Sequence, residues 1–475
     1  MARIQRDSVV DEPRELSEAT HDEKTSAQLP AFPVMNLDEG VVGWDGQDDP
    51  ENPRNFTSKK KSTLVLVVSS ITFLSPLASS MFAPALGSLA KDFHITEELL
   101  LSFTVSIYVL DYVVGPLVLS PLSEIYGRRI VLSVANWFFV VWQIGCALAP
   151  NERLLIFFRL MSGIGGSGCL TLGAGLIADL YASGRYVEVS SARVSHGASG
   201  VVSAAIDVFN CETYHEILIR RKTERLRKEL NRPELKSCYD ASKDPMSETM
   251  VVRRAFIRPF KLLFKSPIVF ILCLYLSTIY GILYLLFITI SDVFIGQYCF
   301  SEGLSGLSYL GMGVGFIFGV LAVAMTSDRM VVKMTKKNNG ISEPEMRLPA
   351  VFIYASFLPV GLIWYGWTAD KHVHWIAPII GLAPLGFGMM GVFLPIQTYL
   401  IDSYDQYAAS AIAALTVTRS LVGAFLPLAG PSMYASLGLG WGNTLLGLLC
   451  VIFIPVPIAL YKYGKVIREK FPVDL

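Results

Sequence analysis

"SPLSEIYGRR", residues 120–129, is a short polar joint between two long apolar stretches, "LSFTVSIYVLDYVVGPLVL" (101–119) and "IVLSVANWFFVVWQIGCALA" (130–149). A helix needs about 20 mostly apolar residues to cross the hydrocarbon core of a bilayer. Both stretches qualify. The joint holds a glycine for a tight turn and two arginines, and short loops rich in Lys and Arg stay on the cytoplasmic side. The segment therefore reads as a membrane hairpin with its turn facing the cytoplasm.

Working outward, ten such runs appear: 62–86, 99–119, 130–149, 154–178, 267–291, 304–326, 349–367, 375–400, 408–430 and 441–462. Ten runs of this length exclude buried helices of a soluble protein. The chain has 475 residues, 52% hydrophobic and 17% charged, against about 25% charged in soluble domains. The fold class is an all-α polytopic membrane protein. Lys59, Lys60 and Lys61 precede the first run, Arg128 and Arg129 follow the second, and Arg185 and Arg193 follow the fourth. Arg329, Lys333, Lys336, Lys337 and Arg347 follow the sixth, and Lys462, Lys465, Arg468 and Lys470 follow the last. The other loops carry far fewer cations, so both termini are predicted to be cytoplasmic. The seven cysteines are scattered, without metal or disulfide spacing.

Runs four and five both meet the cytoplasm, so an even number of crossings must separate them. Two crossings need about 40 apolar residues. Residues 187–211 are interrupted by Glu188, Arg193, His196 and Asp207. Parity then predicts no crossing there, and ten spans arranged four plus six. The predicted organisation is a disordered N-terminal tail (1–61), a first half of four spans (62–211), a middle loop (212–266), a second half of six spans (267–462) and a C-terminal tail (463–475). The tail holds no apolar core of a signal peptide. In the middle loop, "RRKTERLRKEL" (220–230) reads as an exposed helix of mixed charge, solvated or lying at the anionic leaflet.

"SPLSEIYGRR" resembles the helix 2–3 loop signature of the major facilitator superfamily, and "FFRLMSGIGGSG" (157–168) resembles its helix-four motif. "GWDGQDDPENPRNF" (43–56), "PEMRLP" (344–349), "LPIQTYLIDSY" (394–404) and "RSLVGAFLPLAGPSMYASLGLGWGN" (419–443) resemble segments of the fungal twelve-span drug:proton antiporters. The resemblance implies the major facilitator fold, two helical halves around a central cavity. That pattern places helices five and six after "IADL" (177–180) and before "ETYHEILIRRK" (212–222). Only 31 residues lie between them here, so about 45 or more are absent on span length. The ten spans are thus a twelve-span pattern apparently lacking helices five and six.

The resemblance makes Glu124, Gly127, Arg128 and Arg129 a conformational latch, the carboxylate capping a neighbouring helix or pairing with arginine. Asp328 and Arg329 form its weaker counterpart in the second half. Arg159 corresponds to the helix-four arginine associated with proton coupling, and snorkelling to the outer interface is the alternative. Asp111 lies about 18 Å inside the second run, a departure from the family, and desolvation there suits a proton carrier. Arg419 lies at similar depth in the ninth run, and helices two and eleven of this fold face each other, so Asp111 and Arg419 either pair across the halves or each find a separate polar partner. Tyr275, Tyr280 and Tyr284, with Gln397 and Tyr399, line either a cavity for a large, flat substrate or the packed core.

These residues predict a secondary active transporter exporting a small organic compound, such as a drug, toxin or fungal secondary metabolite, in exchange for protons. Its partners would be that substrate, protons and the bilayer of the cell membrane, with no nucleic acid, the protein acting as a monomer. No Walker A pattern or nucleophile–base constellation appears, so neither an enzyme nor a cofactor beyond the proton gradient is expected. Three alternatives stay open: a transport-incompetent remnant or gene-model artefact, a membrane sensor or scaffold using the basic middle loop, and a polyamine or nutrient facilitator.

Overall fold

The structure, a computed structural model, describes residues 33–80, 82, 86–95, 97–180, 211–239, 248–340, 343–404 and 407–471. The expectation of no crossing between Leu180 and Cys211 falls on residues outside this set.

The elements run in chain order. Strand β1 (Val41–Val42) precedes α1 (Ser58–Ser80), α2 (Leu86–Asp92) and α3 (Glu98–Leu110). Then follow α4 (Ser120–Tyr126), α5 (Arg128–Ala147) and α6 (Glu152–Leu180). The middle region holds α7 (His215–Glu229), β2 (Lys236–Ser237) and α8 (Glu248–Lys265). The second half holds α9 (Pro267–Tyr298), α10 (Glu302–Ser305), α11 (Leu310–Lys337), α12 (Leu348–Ala355) and α13 (Phe357–Asp370). It ends with α14 (Ile376–Ser403), α15 (Ala408–Phe425), α16 (Gly430–Phe453) and α17 (Pro455–Lys470).

Among the described residues nine helical segments are long and apolar enough to cross a membrane, rather than the expected ten. The difference lies in runs nine and ten, which join into one segment, Ala408–Lys470, of 63 residues. A straight helix of that length would be about 95 Å long, three times the hydrocarbon core. It does not run straight. Gly438 breaks it at φ 74°, a backbone that only glycine adopts without strain. The chain then doubles back, so that Gly442 lies against the ring of Tyr434.

The second crossing, α3 to α4, is irregular for a reason visible in sequence. Pro116 has no N–H to give, and its ring crowds the carbonyl of residue 112. The helix tightens to a 3-10 turn at Asp111–Val113, then widens to a π turn at Gly115–Leu119. Helix α6 is the hub of the first half, packing on α1, α3 and α5. Its "GIGGSG" (163–168) makes this possible: a Cβ on Gly163 would strike Asp111, one on Gly165 the α5 backbone, and one on Gly166 Ser75 and Tyr108. Small residues let helices approach closely where lipid offers no hydrophobic drive.

In the second half α14 packs on α11 and α13, α9 on α15, and α13 on α16, around a large apolar core. The described residues of the first half contain no counterparts of α15 and α16. The halves meet where α3 lies along α15 and α9, with Tyr108, Val109, Tyr112, Tyr284 and Ala424 in one buried cluster.

Two expectations for the polar regions are corrected. Residues 33–57, expected within a disordered tail, are structured. β1 pairs in parallel with β2, and Trp44 is buried with its ring edge-on to His215 at 5.9 Å. In helix α7 the stretch 220–230, expected to be exposed, is largely so but buries Lys222 and Thr223, and Ile217 and Ile219 are buried ahead of it. Lys222 Nζ meets Asp45 at 2.7 Å and Asp49 at 3.4 Å. The periodicity of its charges hid a cation whose partners lie over 170 residues away.

Candidate functional site

The arginine-rich end of the bundle carries two charge clusters. In the first half, Gly127 turns the chain at φ 98° between α4 and α5. The Glu212 carboxylate occupies the space where a side chain at 127 would be. It accepts from Arg128 N (3.0 Å), Arg129 N (3.4 Å), Thr213 N (3.1 Å) and Tyr214 N (3.1 Å). The orphan N–H groups and dipole of the α5 N-terminus thus meet an anion. The Arg128 guanidinium forks onto Asp179, Nη2 donating to Oδ1 at 3.3 Å and Nε to Oδ2, and stacks near the Tyr214 ring at 5.2 Å. Of the expected latch, Arg128 meets Asp179 and Gly127 meets Glu212. Asp179 pairs with Arg128 and Glu212 caps the helix, while Glu124 and Arg129 are exposed.

In the second half the partner of Asp328 is Arg347, not Arg329. Arg347 Nη1 meets Asp328 at 3.3 Å and its Nε meets Asp402 at 2.5 Å, joining three helical segments. Buried Glu345 holds Arg468 of α17 at 3.1 Å.

The second site lies inside the bundle. Among the described residues only Asp111, Arg159 and Arg419 are buried charges within the interior of crossing segments, the other four lying in the polar regions or at helix ends. Arg159 is 1% exposed, which rules out snorkelling. Its Nη2 donates to the main-chain oxygens of Ser79 and Val105, both at 3.3 Å. Its guanidinium lies 4.1 Å from the Phe82 ring centroid and 5.5 Å from that of Tyr108. Its Nε has no partner. Asp111 is 2% exposed, with Oδ2 unpartnered, wedged against Gly163 one helical turn beyond Arg159.

Arg419 is 9% exposed. Its guanidinium lies 4.9 Å from the Tyr280 ring and 5.0 Å from that of Phe393, with Nε unpartnered. Although α15 packs against the Asp111 turn, Asp111 and Arg419 form no ion pair. Arg419 instead lies among aromatic rings, and Asp111 lies against Gly163 of its own half.

Hydroxyls near these charges bond one another, and one of these bonds crosses the seam. Ser75 Oγ bonds Tyr108 OH (3.3 Å) and Tyr112 OH (3.1 Å). Ser79 Oγ of the first half bonds Tyr284 OH of the second at 3.2 Å, and Tyr280 OH donates to Tyr284 OH at 3.5 Å. Of the expected cavity residues, Tyr280 and Tyr284 reach the seam. Tyr275 does not: it is buried in the second-half core, stacked on Phe453 at 5.1 Å. Tyr399 is also buried, beside Glu345 and Gly464 near the arginine-rich end. Gln397 is half-buried. Sequence reasoning missed Ser75, Ser79, Tyr108, Tyr112 and Phe393. No charge or spacing distinguishes them from ordinary helix-packing residues.

Comparison with known proteins agrees with this architecture. The family model described as Major Facilitator Superfamily matches residues 68–209 and 216–427. The MFS-type transporter penM of Penicillium rubens is 45% identical, over 96% of this chain and 97% of the relative. The MFS transporter cpaT of Aspergillus oryzae is 45% identical, over 90% of this chain and 91% of the relative. A partially occluded inward-open structure of the xylose transporter XylE from E. coli superposes with TM-score 0.59 at 16% identity, covering 86% of this chain and 98% of that one. The fold is that of a multi-pass membrane transporter. The chain belongs to the Major Facilitator Superfamily. Its alignment with the Penicillium relative runs to 495 residues, more than the 475 of this chain, so the relative carries residues that this chain lacks.

Proposed function

We propose that this protein exports a small organic compound across the cell membrane in exchange for protons, with both termini in the cytoplasm. The observation that carries the reading is the buried triad of Asp111, Arg159 and Arg419 at the seam between the halves, each with a polar atom unpartnered. An unsatisfied polar group in a membrane interior costs several kcal/mol, and ionisable groups kept there mark ion or substrate pathways. Asp111 would take the proton. Arg159, tied to the main chain of α1 and α3, would sense that change and pass it to the helices that must move. Rocking of the halves about the seam would expose the site to each side in turn.

The test is flux in proteoliposomes under an imposed pH gradient. Export that needs the gradient and is lost in Asp111→Asn supports the reading; equal flux with and without the gradient removes proton coupling from it.

A second reading, a transport-incompetent chain, is favoured by the residues missing against the Penicillium relative. Were those residues the fifth and sixth helices, α1 and α5 would lack the partners that α15 and α16 give α9 and α13. It predicts no flux in the same assay despite a folded, membrane-inserted protein.

A further inference from the structure

We infer that Arg419 is a binding residue for the acidic group of a flat, anionic substrate, held in a slot between the rings of Tyr280 and Phe393. This deepens the export reading and rests on it.

Three helices build the slot. Arg419 comes from α15, Tyr280 from α9 and Phe393 from α14, with the guanidinium about 5 Å from each ring. Counted from the arginine-rich end, Arg419 lies about 17 Å along α15, Tyr280 about 20 Å along α9 and Phe393 about 15 Å along α14, so all three converge near mid-membrane. The slot borders the seam. Gly423, one turn from Arg419, lets Tyr280 approach on one side and Val109 of the first half on the other.

Among the described residues the slot has no counter-charge. Arg419 forms no ion pair, its Nε is unpartnered, and the neighbouring buried hydroxyl of Ser420 is unpartnered as well. A buried cation without a partner is strongly unfavourable, and among the described residues no carboxylate answers it. The missing partner is then something that enters. The guanidinium offers a planar fork matched to two oxygens of a carboxylate-like anion. The flanking rings offer flat apolar walls, which favour a conjugated body attached to that anion.

The test uses the purified full-length chain in lipid nanodiscs, with 2-naphthoate and 2-naphthamide as probes of nearly one shape and different charge. Binding is measured by thermophoresis without any gradient. The expected result is naphthoate bound at least about tenfold more tightly than naphthamide. Arg419→Gln should bring the two within about twofold, by weakening naphthoate alone. Arg419→Lys, which keeps the charge but not the fork, should leave an intermediate preference.

Equal affinity of the two probes in the wild type overturns the inference, as does failure of both to bind. So does a preference that survives Arg419→Gln. Should that variant not fold, the wild-type preference and the lysine variant decide. Gradient-driven flux is measured separately: a naphthoate preference without flux sinks the export reading and leaves the anion slot standing, whereas flux without preference sinks the slot alone.

Discussion

The Glu212 carboxylate sits in the space that a Cβ on Gly127 would fill, and accepts the main-chain N–H groups that open α5. One residue type at 127 thus serves two needs, the φ of 98° and the approach of an anion from 85 positions away in sequence. Gly127→Ala should cost about 1–3 kcal/mol from the backbone alone, with the steric clash added. Glu212→Ala removes the cap, at about 1–2 kcal/mol. Because the clash needs both residues, the double variant should lose less than the sum of the singles by about 0.5 kcal/mol or more. Thermal midpoints of the four proteins in detergent measure this, and strict additivity would show that the contact does not matter.

The docked N-terminal segment should respond to pH, through His215. Burial pushes its imidazole down to about 4, helped by the cations of Arg54 and Arg128. Folded, the ring therefore binds a proton more weakly than unfolded. Between about pH 6.5 and 4 the undocked state holds more protons, so docking weakens as pH falls through that window, by about 3 kcal/mol over its whole width. Above pH 6.5 this group contributes no slope. Asp49 acts in a lower range. Burial opposes its charge, but the N–H groups of Asp45 and Glu51 and the Lys222 ammonium hold it below the usual carboxylate range. Its contribution is present above that range and disappears as pH falls through the folded value. Protease protection of residues 41–56 should fall between pH 6.5 and 4.5 in the wild type and stay level in His215→Gln.

Lys222→Met tests the same module by charge. Asp49 would keep its two N–H donors but lose its ammonium inside the protein, and breaking a buried pair from one side costs about 3–5 kcal/mol. Asp45 is mostly exposed, so Asp45→Asn should cost well under 1 kcal/mol. Proteolysis of the N-terminal segment should therefore accelerate sharply in the methionine variant and hardly in the asparagine variant. Equal rates would mean that Trp44 packing alone holds the segment.

How far these features can be read from sequence depends on range. The apolar runs 130–149 and 375–400 mark α5 and α14 to within a few residues, because a crossing helix is a local property of composition. The break at Gly438 was legible only as one glycine among several. Arg128 and Asp111 were recognisable as charges at informative places, yet their surroundings were not. Asp179 lies 51 positions from Arg128, and the slot around Arg419 takes rings from two other helices. Pairing between helices is set by packing, and periodicity along one helix carries no record of it. Lys222 misled for the same cause, since a charged helix looks solvated until its partner strand is in place.

Arg159 and Asp111 should fail differently when altered. Arg159→Gln removes the charge-assisted bonds to Ser79 O and Val105 O, each worth about 1.5–3 kcal/mol. It leaves main-chain oxygens of two helices without their donor inside the membrane. That variant should lose thermal stability and all flux together. Asp111→Asn keeps size and removes only the ionisable group, whose Oδ2 has no bond to lose. It should fold normally and still exchange labelled for unlabelled substrate with no gradient, while net export against a gradient stops. Loss of exchange as well would place Asp111 in substrate binding rather than proton transfer.

The Ser79–Tyr284 bond is a direct polar tie between the halves, and its removal should shift the balance between outward- and inward-facing states. A buried neutral hydrogen bond contributes about 1 kcal/mol net, so Tyr284→Phe should change the ratio of the two states about fivefold in favour of the one in which this seam is open. Ser79→Ala should shift it in the same direction, and the double variant no further than the larger single, because one bond is lost in all three. Tyr284 also receives a bond from Tyr280, so its variant should be the larger of the two singles. Spin labels placed on the ends of α1 and α9 near Ser80 and Tyr298, read as distance distributions, give the populations. Unchanged distributions in both single variants would show that apolar packing around Tyr108, Val109 and Ala424 holds the seam without help from this bond.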